Sequence, residues 1–396
     1  MFENIVLRRS PEQSSPIDPG LLAEALLFYQ NVHIILDYAS LNSLIKNIGI
    51  ESLFTIIEND WAKATYFMNS LGTHTHTHGV QVHEFGTFEL IGSEKAGIKR
   101  GKQKRIDFIF ERALGKSRET NKVAKKFSNL VPVTTLERQF KESGGITELA
   151  NLDLQDSNFV KRSIDIILKE LIPDIELPSN WHFEIIKLEK GFVVDTNLDF
   201  TQLNSQYHKR IPKEHNSISE AYLTNHILEA RADLCFASNY MAEYTTNSIS
   251  SNIMMMKFPQ ILSKRYSNAN QIELFQTIHM DDGKALRETI NSKRKSFDDF
   301  LNILDKANKF KEWLKEVHPD QNLLSEYYKA VTSQSWIDKL PPKILRFIVS
   351  TGIGLVADPV SAASASMADS FILDRFLKGW RPHHFIEGQM KEFTEQ

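Results

Sequence analysis

The sequence predicts an α+β protein: a mixed α/β N-terminal half with short strands and a hairpin, followed by a mainly helical C-terminal half. Three observations carry this. Short β-rich runs (Val32–Leu36, Trp61–Asn69, Val80–Ile91) are interleaved with helically spaced apolar residues in the first 93 positions. Lys190-Gly191 separates two β-rich runs, His182–Leu188 and Phe192–Phe200, which is a hairpin signal. From Ser217 onward the helical period dominates. The expected division is 1–210 for the mixed domain and 211–396 for the helical one.

Taken in order, Pro16 to Gly20 reads as a turn into a helix over Leu21–Tyr29. Leu41, Leu44, Ile45, Ile48, Leu53 and Ile56 keep helical spacing, so one helix is expected over Leu41–Ile57. A helix over Ile106–Phe127 and another over Leu149–Leu171, ended by Pro173, follow. Ser217-x-x-Glu220 has the form of a capping box before Leu223, Ile227, Ala230, Leu234, Ala237 and Met241. Ser296 is the expected cap of a helix whose stripe is Phe297, Leu301, Leu304, Ala307 and Leu314.

Composition narrows the class. The 25 Phe imply well-filled cores. The single cysteine, Cys235, excludes an internal disulfide framework and a Cys-rich zinc site, and fits a reducing cytosol. Met1-Phe2-Glu3-Asn4-Ile5 lacks the basic-then-apolar run of a secretory signal, so a cytoplasmic location is expected.

Charge is the most informative surface property. Residues 95–126 hold twelve Lys/Arg against Asp107, Glu111 and Glu119, a local net of +9, while the whole chain is −3 and the remainder therefore −12. Positive charge gathered against the balance of its own chain points to a polyanion. Lys95, Lys99, Arg100, Lys102, Lys104, Arg105, Arg112, Lys116 and Arg118 are the expected ligand-binding residues. The expected partner is an anionic ligand such as a single-stranded oligonucleotide; a flexible solvated loop is the plain alternative.

Thr73-His74-Thr75-His76-Thr77-His78, with His83 beyond, is a histidine ladder. In a strand, residues two apart share a face, so a His-x-His pair can share a zinc ion. Three same-face histidines span ~13 Å at ~3.3 Å per residue, too far for one ion. His76, His78 and His83 are thus weak metal candidates, belonging to an alternative reading as a metal-dependent nuclease or hydrolase. Asp195 with Asp199, and Asp281 with Asp282, are further carboxylate pairs in turn-like contexts. No phosphate-cradling glycine loop and no nucleophile elbow is present, and Cys235 falls mid-helix on an apolar face. Neither enzymatic activity nor a cofactor is expected.

Phe347 to Ala368 reads FIVSTGIGLVADPVSAASASMA, with Asp358 its only charge and Pro359 breaking it. Phe347, Ile348, Val349, Ile353, Leu355 and Val356 are the expected membrane contacts. Two pieces of about ten residues cannot each span ~30 Å of hydrocarbon, but a broken helix or an oligomeric hairpin can. Gly354, Ala357, Ser361, Ala365 and Ala368 permit close helix approach. A tightly packed soluble helical hairpin is the competing reading.

Several stretches carry a resemblance: Phe310-Lys311-Glu312-Trp313-Leu314, Ser325-Glu326-Tyr327-Tyr328, Lys339 to Phe347, Asp369-Ser370-Phe371 and Lys378-Gly379-Trp380-Arg381-Pro382. Glu24 to Tyr29 and Leu228 to Asp233 belong with them. Together they resemble a group of bacterial proteins similar to membrane-effector subunits of anti-phage systems, the Hailong type included. The resemblance covers most of the chain through structural motifs and identifies no site residue. It implies an oligomeric effector kept silent by an oligonucleotide that a partner nucleotidyltransferase makes, and recruited to the inner membrane on activation. A soluble interaction scaffold whose basic loop docks a protein is a further alternative.

Overall fold

A computed structural model describes residues 2–9, 16–88, 102–140, 145–212, 217–257, 267–276, 286–317, 323, 326–327 and 382–395. Lys95, Lys99, Arg100, the carboxylates Asp281 and Asp282, and the apolar segment 347–368 lie outside them.

The fold is mixed α/β, with its sheets in the N-terminal half and a helix-rich C-terminal half. In chain order the elements are β1 (Asn4–Leu7), α1 (Pro19–Phe28), β2 (Asn31–Leu36), α2 (Tyr38–Ile48), α3 (Ile50–Glu58), β3 (Lys63–Phe67), β4 (Ser70–His78) and β5 (Val80–Phe88). Then come α4 (Lys102–Leu114), α5 (Arg118–Leu130), β6 (Val133–Thr134), α6 (Leu136–Gln139), α7 (Gly145–Asp153), α8 (Ser157–Leu171), β7 (Phe183–Lys187), β8 (Phe192–Thr196) and α9 (Phe200–Tyr207). The series continues with α10 (Glu220–Asn239), β9 (Glu243–Thr245) and α11 (Ser248–Lys257), followed by helices Leu286–Asn291, Phe297–Lys306 and Asn308–Glu316.

One sheet is parallel, in the order β6-β3-β2-β1-β9. Its strands are buried on both sides, as parallel strands usually are: Ile5 and Leu7 enter one core and Val6 the other. On the first side lie α1–α5 and the helices of 286–316. On the second lie α7, α8, α10, α11 and an antiparallel sheet, β4-β5-β8-β7. Both cores draw on residues from either side of position 210.

Several expectations are met. The β7–β8 hairpin turns at Lys190-Gly191, and Ser296 caps its helix in a capping box with Asp299. Others break where the backbone gives an exit. The expected helix Leu41–Ile57 is two helices, split at Gly49, whose φ of +80° suits a residue without Cβ. The expected Ile106–Phe127 helix is likewise split at Gly115 (φ +84°). Leu149–Leu171 divides because Asp156 caps α8 by accepting from Phe159 N at 3.0 Å. The cap of α10 is Ser219, accepting from Tyr222 N, rather than Ser217. The helix capped by Ser296 stops at Lys306, and Leu314 belongs to the helix after it.

The parallel strand order reverses at β1, whose neighbours are β2 and the late strand β9. There a buried charge network closes the sheet. Arg8 pairs with Asp233 and donates to Glu229 at 2.8 Å; Arg9 reaches Glu229 at 3.2 Å. The Tyr244 hydroxyl donates to Asp233 at 2.8 Å, and the Thr246 hydroxyl donates to its second oxygen. Burial alone would raise the Glu229 carboxyl, but Arg9 and Arg8 outweigh it and hold the group at about 2. One turn earlier on α10, burial pushes the His226 imidazole down to about 4.

These two groups contribute to the acid limb of stability. Unfolded histidine titrates near ~6.5 and glutamate near ~4.3. His226, held neutral in the fold, loses its contribution as pH falls from about 6.5 towards 4; Glu229 loses its contribution from about 4.3 towards 2. Urea midpoints should therefore decline in two steps on acidification. His33, also pushed down to about 4, shares the upper window, so His226→Gln should flatten part of that step and leave the lower one intact. An unchanged upper step in this variant contradicts the assignment.

Candidate anion-binding surface

Helices α4 and α5 pack against one another on the first core. Ile106, Ile109 and Phe110 of α4 and Ala124 and Phe127 of α5 are fully buried beneath them. The Phe110 and Phe127 rings lie 5.2 Å apart, and Phe127 meets Tyr66 of β3 edge-on at 6.0 Å. Ser117 starts α5 by accepting from Thr120 N at 3.0 Å, so the positive end of that helix lies between Lys116 and Arg118.

The outer side is basic. Lys104, Arg112, Lys116, Arg118, Lys122 and Lys125 are all exposed. Lys122 pairs with Glu119 at 2.7 Å. Lys126 reaches Glu58 at 3.0 Å and stands over the Phe54 ring at 4.5 Å, which pins α5 to α3. Among the described residues the other five exposed cations enter no ion pair. Lys102 opens α4, and the sequence-predicted ligand residues Lys104, Arg112, Lys116 and Arg118 thus share one helical pair.

Arg105 does not belong with them. It is 9% exposed and turns inward, its Nη1 3.6 Å from Met68 Sδ. It lines a cavity of about 20 Å³ with Tyr38, Tyr66 and Ser70 at the carboxyl end of β3. Helical spacing explains this: Arg105 lies four residues before Ile109 and shares its inward face. A run of charge in the sequence hides which member faces the core.

The histidine ladder is a strand, but its candidates do not converge. In the β4–β5 register Thr75 stands opposite His83, while His74 faces Glu84 and His76 faces Val82. Cross-strand partners share a face, so His83 lies on the side opposite to His74 and His76. His83 is buried beside Phe192, with ring centroids 5.6 Å apart, and shares a 3.0 Å hydrogen bond with Thr75. Burial lowers its basicity. The grouping of His76, His78 and His83 around one ion is therefore excluded by strand parity. Among the described residues no set of three His, Cys, Asp or Glu side chains is placed to hold a metal.

The remaining candidates have structural work. Asp199 caps α9, accepting from Thr201 N at 2.9 Å and Gln202 N at 3.0 Å. Asp195 lies on β8, its carboxylate 3.9 Å from His182 Nε2. Burial pushes the Cys235 thiol up to about 11, away from the thiolate. The polar cluster that sequence reasoning passed over is Arg8, Arg9, Glu229 and Asp233. Its signal was present: two arginines directly after an apolar strand, and two acids four apart in an apolar helix.

Comparisons with protein-family models, curated proteins and solved structures find no match.

Stability separates the two kinds of basic residue. Lys104→Ala, Arg112→Ala, Lys116→Ala and Arg118→Ala should each change unfolding free energy by less than about 0.5 kcal/mol. Arg105→Ala should cost about 1–3 kcal/mol by removing a buried side chain that sits against Met68 and beside Tyr66. Chemical denaturation of the five variants checks this, and an Arg105→Ala midpoint equal to that of Lys104→Ala refutes it.

Proposed function

We propose that the chain is a non-enzymatic effector of bacterial defence, gated by an anionic ligand held on the exposed face of α4 and α5. The observation that carries the reading is a set of five cations without an ion pair among the described residues: Lys104 and Arg112 on α4, Lys116 in the turn, and Arg118 and Lys125 on α5, above a buried underside. Five like charges repel one another unless something neutralises them. Mounting them on packed helices, instead of pairing them with acids, leaves each free to meet a phosphate. At 1.5 Å per residue each 13-residue helix is ~20 Å long, enough to follow several nucleotides of a single strand.

The response is proposed to come from the apolar segment 347–368, which meets the inner membrane when a cytoplasmic homo-oligomer is activated. Among the described residues no helix is long and apolar enough to cross a membrane, so this part of the reading rests on the composition of that segment.

Filter binding of short single-stranded oligonucleotides across a salt series tests the ligand. Log affinity should fall linearly with log salt, by ~0.7 per phosphate contact. Reversing Lys104, Arg112, Lys116 and Arg118 to Glu should abolish retention, while Lys104→Ala alone should reduce the slope by about one contact. Retention and slope unaffected by the reversal would sink the anion-binding reading. For the response, dye entry into cells should follow expression of the full chain and vanish for a chain ending at Leu340. If liposomes never leak in any ligand state, the membrane half is wrong and a soluble scaffold becomes the better description.

A further inference from the structure

The strand β4 is nine residues long and, among the described residues, ends its sheet, with β5 on one side only. Its register with β5 runs without a bulge from Ser70–Phe88 to His78–Val80. Among the described residues no backbone group of Ser70–His78 hydrogen-bonds to anything but β5. Thr75, His76 and Thr77 are exposed. Edge strands of this length are normally guarded by a lysine, a proline, a bulge or a covering loop. Ser70-Leu71-Gly72-Thr73-His74-Thr75-His76-Thr77-His78 contains no Lys, Arg, Asp, Glu or Pro.

The repeat itself names the occupant. A two-residue repeat is self-complementary when two copies run antiparallel: about an axis at Thr75, Thr75 faces Thr75, Thr73 faces the second copy's Thr77, and His74 faces its His76. Threonine pairs of this kind are favourable across strands, and every orphan N–H and C=O at the centre of the edge gains a partner. An unrelated strand would match this edge no better than any other; a second copy matches it like against like from Thr73 to Thr77. We propose that β4 is a self-association edge, through which two copies join their four-stranded sheets into one of eight strands about a two-fold axis at Thr75.

The pairing uses the hairpin alone and no residue of α4 or α5. Its test uses no ligand, so it can fail or succeed independently of the basic surface. Sedimentation velocity on the full chain should show a dimer. In His74→Lys/His76→Lys the pairing sets Lys against Lys twice, which should raise the dimer dissociation constant about tenfold or more. Because the His74 ring lies over Gly86, His76→Lys alone serves as a second variant that spares this contact. Circular dichroism should show both variants folded. Thr75→Cys should form a disulfide-linked dimer under mild oxidation, whereas Thr73→Cys and Thr77→Cys should cross-link only when mixed. A folded monomer in the unaltered chain overturns the proposal, as does a dimer that both lysine variants leave intact.

Discussion

The buried pairing of Arg8 with Asp233 and Glu229 is the contact on which the rest of the structure depends. It joins the carboxyl end of β1, the strand between the two cores, to α10, the helix that runs over the second core. Two charges taken out of water cost several kcal/mol each unless their hydrogen bonds are satisfied. Here Tyr244 and Thr246, in and just after β9, supply further bonds to Asp233. The cluster is therefore complete only when β1, β9 and α10 are all in place. That makes it a registration device: an error in placing the last strand strands a buried charge.

Fixing α10 has consequences along its length. Further along the helix, Phe236 meets Phe67 of β3 at 5.3 Å and Phe140 at 4.9 Å, which sets the helix against the parallel sheet. The same helix also packs against β4 and β5. The threonine side of β4 carries Leu71, and the matching side of β5 carries Phe85, both in the second core. The opposite side of β4 is left to the histidines. The start of β4 is thus buried through Leu71 on the second core, while Thr75, His76 and Thr77 further along it are exposed. The basic helices belong to the first core, across the parallel sheet, so the two surfaces are built on different layers.

Much of the local structure was legible because it is written in neighbouring residues. The β7–β8 hairpin, α1 and the Ser296 cap need only a turn glycine, an apolar stripe and a hydroxyl before a helix. What was not legible depends on distant partners or on parity. Strands β1 and β9 are four and three residues long; nothing in so few residues announces that they will lie side by side, more than 230 positions apart. The histidine ladder read correctly as two-fold spacing, but the face of His83 depends on the number of residues in the Gly79 turn. Arg105 sits in the densest run of charge and is buried, because helical phase outranks local composition.

The charge segregation gains meaning from where the acids went. Glu229 and Asp233 are consumed by Arg8 and Arg9, Asp153 by Arg231 and Lys257, and Asp18 by Arg287. These acids are spent inside the fold and are screened from α4 and α5 by their own cations. Five cations answer these four acids, so the pairings leave the balance of the chain almost unchanged, and the basic face stands out because a net +9 is gathered in residues 95–126. Pairing through β4 would double that face without covering it, since the edge and the basic helices belong to opposite cores. A ligand long enough to reach both copies would then bind its second face at high effective concentration, and one too short would not. Ligand length, more than ligand sequence, is the variable such an arrangement reads.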